Sequence, residues 1–177
     1  MGLYLVDKVI KEHGGFIAVE SSEGRGTKFC LHLPLPLGRI QEKAARENIQ
    51  NSEIIKGKTV LVADDEEIIR ELLRRTLTET GARVLEAIDG SHCLRVFQDR
   101  IDEVDVIILD MIMPGLKGDD VLKKIREIRP DVAVIIASGF MGDEQRVKLK
   151  EYRPDGFLDK PFTDKDIIRS VAVALSK

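Results

Sequence analysis

Short apolar runs alternate with helix-patterned stretches through residues 58–177, and this alternation narrows the fold more than any other feature of the chain. Five segments have strand length: Thr59–Ala63, Arg83–Ala87, Val104–Leu109, Val132–Ala137 and Gly156–Leu158. Near-continuous apolar character marks strands covered on both faces, as in parallel sheets. Between them lie helical patterns. Ile68, Ile69, Leu72, Leu73 and Leu77 recur on one face, with Glu66 and Glu67 in the first turn, where the helix dipole favours acids, and Gly81 at a left-handed end. Ser91–Gln98 reads as a second helix, Val121, Leu122, Ile125 and Ile128 as a third ending before Pro130, and Asp143–Tyr152 as a polar, weakly patterned fourth. The last begins at Thr163 with Asp166 forming a capping box, its buried face being Ile167, Ile168, Val171, Ala172 and Leu175.

Strict alternation implies an α/β fold, a (βα)5 doubly wound parallel sheet with right-handed crossovers. The common order for such a sheet, 2-1-3-4-5, sets the first and third strands side by side at the switch point. Four of the apolar runs end on chemistry: Asp64-Asp65, Asp110, Ser138 and Lys160-Pro161. Carboxyl ends of parallel strands open onto one crevice. That crevice would hold three carboxylates, a hydroxyl and an ammonium. Three carboxylates repel one another unless a divalent cation joins them. A metal, a carboxylate nucleophile and a lysine are the parts of an aspartyl-phosphate site. Taken singly, Asp64-Asp65 also fits a helix N-cap pair, Asp110 a strand-end turn, Ser138 a loop serine and Lys160 a solvated lysine.

Composition excludes several classes. The 177 residues are 43% hydrophobic, enough for a packed domain and a small additional piece. No run approaches the ~20 apolar residues of a membrane span, and the N-terminus lacks a signal-peptide pattern. Cys30 and Cys93 have no metal or redox spacing, which fits a reduced, cytoplasmic chain. A net charge of −3 gives no footprint for nucleic acid or anionic lipid. Residues 1–57 carry 8 Lys+Arg against 7 Asp+Glu, and residues 58–177 carry 20 against 24, so the excess acid lies in the second stretch, and part of it is the crevice. His13, His32 and His92 are scattered and read as structural or surface residues.

The first 36 residues differ in kind. Leu5, Val6, Val9 and Ile10 form a helical stripe ending at His13-Gly14-Gly15. Phe16–Glu20 and Thr27–Leu33 read as two strands joined by Ser21–Gly26, where Gly24 and Gly26 are turn glycines. A helix and one hairpin bury too little surface to stand alone, so this piece docks, forms a homodimer or fluctuates. Residues 37–57 are rich in helix formers and read as a helical linker.

Residues 58–177 resemble the receiver domain of two-component response regulators. The resemblance rests on Val-Leu-Val-Ala-Asp-Asp at 60–65, Ile-Ile-Leu-Asp-Met-Ile-Met-Pro-Gly at 107–115, Ile-Ile-Ala-Ser-Gly at 135–139 and Phe-Leu-Asp-Lys-Pro-Phe at 157–162, in order and at the family's separations. It implies a flavodoxin-like fold in which Asp110 accepts a phosphoryl group. It further implies that Asp64, Asp65, Asp110 and the backbone carbonyl of Ile112 hold Mg²⁺, whose preference for few carboxylates and several waters suits this set. Lys160 would pair with the phosphoryl oxygens, and a cis Lys160-Pro161 bond would aim it inward. Ser138 would donate to the bound phosphoryl group, and Phe157 would turn inward with it, making a two-state switch.

Residues 2–34 are similar to the C-terminal end of a sensor histidine kinase ATP-binding domain. Gly-Leu-Tyr-Leu-Val at 2–6, Glu-His-Gly-Gly at 12–15 and Glu-Gly-Arg-Gly-Thr-Lys-Phe at 23–29 carry that resemblance. With one wall of a nucleotide site and no histidine helix, these residues are expected neither to bind ATP nor to autophosphorylate. The whole resembles the tail of a hybrid histidine kinase: residues 1–36 from the kinase, 37–57 a linker, 58–177 a receiver. The partner implied is a histidine kinase or a histidine phosphotransfer protein. No effector segment follows Lys177, so output is expected by onward transfer or docking. The chain would then be a phosphoryl-accepting switch rather than a turnover enzyme. Apolar Ile112 and Phe140, two residues past the acceptor and the switch hydroxyl, would shield the phosphoryl group and prolong its life.

Two alternatives use the same parts. A haloacid-dehalogenase-like phosphohydrolase also combines aspartate, Mg²⁺, a hydroxyl and a lysine, but it places a second aspartate two residues after a first-strand nucleophile, and position 66 here is Glu66. A non-phosphorylated scaffold or kinase decoy is the other. A flavin role conflicts with Asp-Asp-Glu-Glu after the first strand, which would repel a phosphate.

Overall fold

The computed structural model describes residues 2–22, 26–34, 49–139, 147 and 149–177. The chain divides into two compact units, Met1–Ala44 and Ala45–Lys177. In the first, helix α1 (Gly2–Glu12) precedes an antiparallel hairpin of β1 (Phe16–Ser22) and β2 (Gly26–His32). The register runs from Phe16 opposite His32 to Ser22 opposite Gly26. Ile10 is buried. Gly15 allows the helix end to close on the hairpin, because a Cβ there would collide with the His32 carbonyl and press on Ile10. His32 stacks on Phe16 with ring centroids 4.4 Å apart, and His13 Nδ1 lies 2.8 Å from the Val9 carbonyl oxygen. Both are structural contacts, as expected.

The second unit holds β3 (Thr59–Ala63), α2 (Glu67–Glu79), β4 (Arg83–Ala87), α3 (Gly90–Asp99), β5 (Val106–Asp110), α4 (Gly118–Ile128), β6 (Ala133–Ser138), β7 (Gly156–Asp159) and α5 (Asp164–Leu175). The strands form one parallel sheet in the order β4-β3-β5-β6-β7, the 2-1-3-4-5 order expected. Side chains alternate across a strand, so each strand feeds two cores. Leu61, Ile107, Leu109, Val134 and Ile136 point to one face and pack with Cys93 and Phe97 of α3 and Val121, Leu122 and Ile125 of α4. Val60, Val62, Val106, Ile108 and Ile135 point to the other and pack with Leu73 and Leu77 of α2 and Ile167, Val171 and Ala172 of α5. Ile55 is fully buried in this second cluster, so apolar packing of the unit begins upstream of Lys58.

The helix ends follow local chemistry. Thr163 caps α5, and its reciprocal bonds with Asp166 complete the capping box. Asp89 caps α3 by accepting from the His92 N–H. Gly81 follows the α2 C-cap with φ +85°, a conformation that favours glycine.

Several expectations shift. Glu66 is the N-cap of α2 rather than a first-turn residue. Ile68 is 82% exposed, not on the buried face: it lies in the first turn of α2, whose buried residues, Leu73, Thr76 and Leu77, come later in the helix. Thr76 takes a buried place instead and donates to Asp164 Oδ1 at 2.9 Å. Ile128, Ile168 and Leu175 are half-buried, while Ala174 is buried. Of the expected fourth helix, residues 147 and 149–150 are helical, and 143–146 and 148 lie outside the described residues. Residues 49–55 of the expected linker are helical, and 37–48 lie outside the description. Among the described residues no helix is long and apolar enough to cross a membrane.

Candidate functional site

The sheet order brings the four sequence positions to one edge. Asp64 and Asp65 follow β3, Asp110 ends β5, Ser138 ends β6, and Lys160 follows β7. Asp110 and Ser138 are the last strand residues rather than the first loop residues. Their backbones therefore belong to the ladder, which fixes them more firmly than a loop would. Asp110 aligns with Ala137, and Ser138 with Asp159.

Carboxylate oxygens of Asp64, Asp65 and Asp110 lie within 4.8 Å of one another. Asp64 and Asp110 are buried, at 1% and 3% exposure, and Asp65 stands on the exposed rim. Lys160 Nζ donates to Asp64 Oδ2 at 2.7 Å and to Asp110 Oδ2 at 3.2 Å. Glu66 Oε1 lies 3.6 Å from the same nitrogen. The Lys160–Pro161 peptide is cis. The Lys160 N–H donates to the Ser138 carbonyl at 2.7 Å, tying the end of β7 to the end of β6. The Glu66 N–H donates to Asp64 Oδ1, and the Ile112 N–H points at Asp110 Oδ1 at 3.4 Å.

Two buried carboxylates share one ammonium, and the protonation states follow. Burial pushes the Asp110 carboxyl above its ordinary value. Asp64 adds to that rise, while Lys160 and the Ile112 N–H oppose it. Burial works against the Lys160 ammonium, but Asp64 and Asp110 outweigh it and hold its pKa above the usual lysine value. The lysine stays charged and offsets part of a repulsion that two buried anions could not otherwise bear.

The β5–α4 loop closes tightly over Asp110. A Cβ on Gly118 would lie 2.6 Å from both the Asp110 carbonyl oxygen and Met111 Cα. Ile112, in this loop, is 77% exposed. Phe157 on β7 is half-buried, packs against the core cluster containing Ile136 and pairs with Ile136 in register. Phe140 lies outside the described residues. Three contributors were missed from sequence: Gly118, Glu66 as a lysine partner, and Arg70, whose guanidinium bonds the Asp64 and Asp65 carbonyls. An arginine one turn into a helix that follows an acidic pair was the available signal for the last.

A doubly wound parallel sheet with an acidic cluster and a lysine at its carboxyl edge defines the class of protein. The chain belongs to the response regulator receiver domain family, whose profile matches residues 60–172. Residues 1–37 match the family of histidine kinase-, DNA gyrase B- and HSP90-like ATPases. Sensor kinase CckA of Brucella abortus is 34% identical over 186 residues, covering 100% of this chain and 19% of that protein. The autoinducer 1 sensor kinase/phosphatase LuxN of Vibrio campbellii is 28% identical over 154 residues, covering 76% and 18%. The chain spans about a fifth of the length of these curated relatives. Among solved structures, a response regulator receiver domain protein from Clostridium thermocellum shares 33% identity with a TM-score of 0.64, covering 67% of this chain and 94% of its own. Chemotaxis protein CheY4 of Vibrio cholerae shares 27% identity with a TM-score of 0.62, covering 65% and 96%. The chain thus carries a receiver domain of the two-component phosphorelay type, and its relatives include hybrid sensor kinases.

Proposed function

We propose that this receiver takes a phosphoryl group from a phosphohistidine onto Asp110. The observation that carries the reading is the convergence of three carboxylates within 4.8 Å with one lysine bonded to two of them. An Asp110 carboxylate oxygen attacks phosphorus, the P–N bond to the histidine breaks, and the imidazole leaves with the bonding pair and takes up a proton. Lys160 already faces Asp110 and would follow the charge onto the phosphoryl oxygens as a compact cation. Ser138, ending the neighbouring strand, supplies a hydroxyl donor for the same oxygens. Burial of Asp110 keeps water from competing with these fixed donors.

The donor set fits Mg²⁺: hard oxygens, with Asp64, Asp65 and Asp110 as carboxylates and the Ile112 carbonyl as the neutral ligand. The ion would neutralise the mutual repulsion of the carboxylates and the charge of an incoming phosphoryl group. The partner is a histidine kinase or a phosphotransfer protein. Residues 1–36 read as the end of a kinase ATP-binding domain and 37–57 as its linker to a receiver at 58–177. The free thiols of Cys30 and Cys93 suit a reducing cytoplasm.

Titration with a small acyl phosphate tests the reading. Labelling should require Mg²⁺, and Mg²⁺ alone should raise the thermal midpoint through preferential binding to the native state. Asp65→Ala should lose that rise. Label formed equally well without divalent metal contradicts the site. Ile112→Asn should shorten the lifetime of the label, because a polar side chain there can orient the hydrolytic water that isoleucine shields. An unchanged lifetime removes the shielding role.

A further inference from the structure

Arg70 lies one turn into α2 with a side chain only 13% exposed. Its Nη1 donates to two consecutive carbonyls, Asp64 at 2.9 Å and Asp65 at 3.0 Å. Its Nε is 4.0 Å from Glu86 Oε1 on β4. Two adjacent carbonyl dipoles converging on one point repel unless a donor sits between them. The two hydrogens of a single guanidinium nitrogen meet that need, and the guanidinium is charged at every accessible pH. The bonds turn both peptide oxygens to the helix side of the loop.

Asp64 is held elsewhere as well: its N–H donates to the Ala87 carbonyl and its carboxylate accepts from Glu66 and Lys160. Asp65 stands on the exposed rim and is tied to this frame through its carbonyl bond to Arg70. We infer that Arg70 is a positioning residue for the acidic cluster, clamping the two peptide carbonyls so that the Asp65 carboxylate stays beside those of Asp64 and Asp110. The inference rests on the reading of that cluster as the Mg²⁺ site. Groups that orient metal ligands from behind typically set affinity by about 10- to 100-fold.

Charge alone would act in the opposite direction. A cation near the site weakens metal binding, so its simple removal would tighten Mg²⁺ affinity. The sign of the change therefore separates clamping from charge.

The experiment compares wild type, Arg70→Met and Arg70→Lys by Mg²⁺ calorimetry and by acyl-phosphate labelling across a Mg²⁺ titration. The methionine keeps the stem without donors or charge. The lysine keeps the charge on a side chain one bond shorter. Both variants should bind Mg²⁺ at least about ten-fold more weakly, with labelling restored to within about two-fold of wild type at saturating Mg²⁺. A merely structural role would lower the metal-free thermal midpoint without this split between half-saturation and saturated rate. Unchanged or tighter Mg²⁺ binding in Arg70→Met overturns the inference, as does full wild-type affinity in Arg70→Lys. If the methionine variant fails to fold, the lysine variant decides. Wild type that binds no Mg²⁺ removes the metal site itself and the inference with it, whereas normal wild-type binding with unchanged variants overturns the inference alone.

Discussion

The two units of this chain use the same kinds of apolar residue to opposite effect. In the hairpin unit Phe16, Val19, Phe29, Leu31 and Leu33 all remain about half exposed or more. In the receiver unit Leu61, Ile107, Leu109, Leu122, Ile135 and Ile136 are fully buried. The difference is one of layers. A two-stranded hairpin with one helix can cover only part of one sheet face, whereas five strands between two helical layers cover both. The receiver can therefore afford two buried carboxylates and a lysine at its sheet edge, since a rigid packed frame holds them in register.

Four experiments would break or sharpen that contrast, beginning with the largest expected effect. Each unit carries one cysteine. Cys93 is fully buried, and burial with the nearby Asp89 charge pushes its thiol up to about 12. Cys30 is half-buried on β2. A thiol reagent should modify Cys30 at least about a thousand-fold faster, because Cys93 reacts only through unfolding of the packed unit. Comparable rates would show that the receiver core opens as readily as the hairpin.

Next, Ile107→Ala removes a fully buried side chain from the core between the sheet and the α3 and α4 helices. It should cost about 2–5 kcal/mol in denaturant unfolding. A cost under about 1 kcal/mol would mean that the core is looser than its burial implies.

Third comes the α5 cap. The Thr163 hydroxyl, followed by the Thr163 N–H, holds the Asp166 carboxyl below its ordinary value. A carboxylate with a depressed folded pKa adds stability above its unfolded pKa and loses it as the pH falls through the folded one. Asp166→Ala should thus destabilise by about 1 kcal/mol at neutral pH, and the gap from wild type should close in acid. A gap independent of pH would assign the loss to something other than the charged cap.

Smallest is Val19→Ser on the exposed hairpin. Val19 is 55% exposed, so receiver unfolding should change by less than about 0.5 kcal/mol. A larger shift would reveal packing of the hairpin against other polypeptide.

How legible the molecule was depended on whether a feature is local. Thr59–Ala63 and Arg83–Ala87 have the expected ends because an apolar run and the Gly81 turn bracket them. Asp110 and Ser138 looked like loop residues because a polar strand end carries no apolar signal. Periodicity put Ile68 on the buried face, since a helical wheel cannot say where along a helix the packing begins. The Thr76–Asp164 bond joins residues 88 apart and leaves no pattern in either segment. The acidic pair, the lysine and the serine were visible as strand-end chemistry. The Arg70 contact was not, because its acceptors are backbone carbonyls, which every residue carries. Gly118 was hidden for a related reason: its necessity lies in the close approach of the Asp110 backbone, not in any turn that its neighbours announce.

The most direct test of the central claim is intact-protein and peptide mass spectrometry after incubation with an acyl phosphate and Mg²⁺, comparing wild type with Asp110→Asn. Wild type should gain a single base-labile phosphoryl group located on Asp110, and Asp110→Asn should gain none. Labelling of Asp110→Asn to the wild-type extent, or a wild-type label located on another residue, would contradict the assignment.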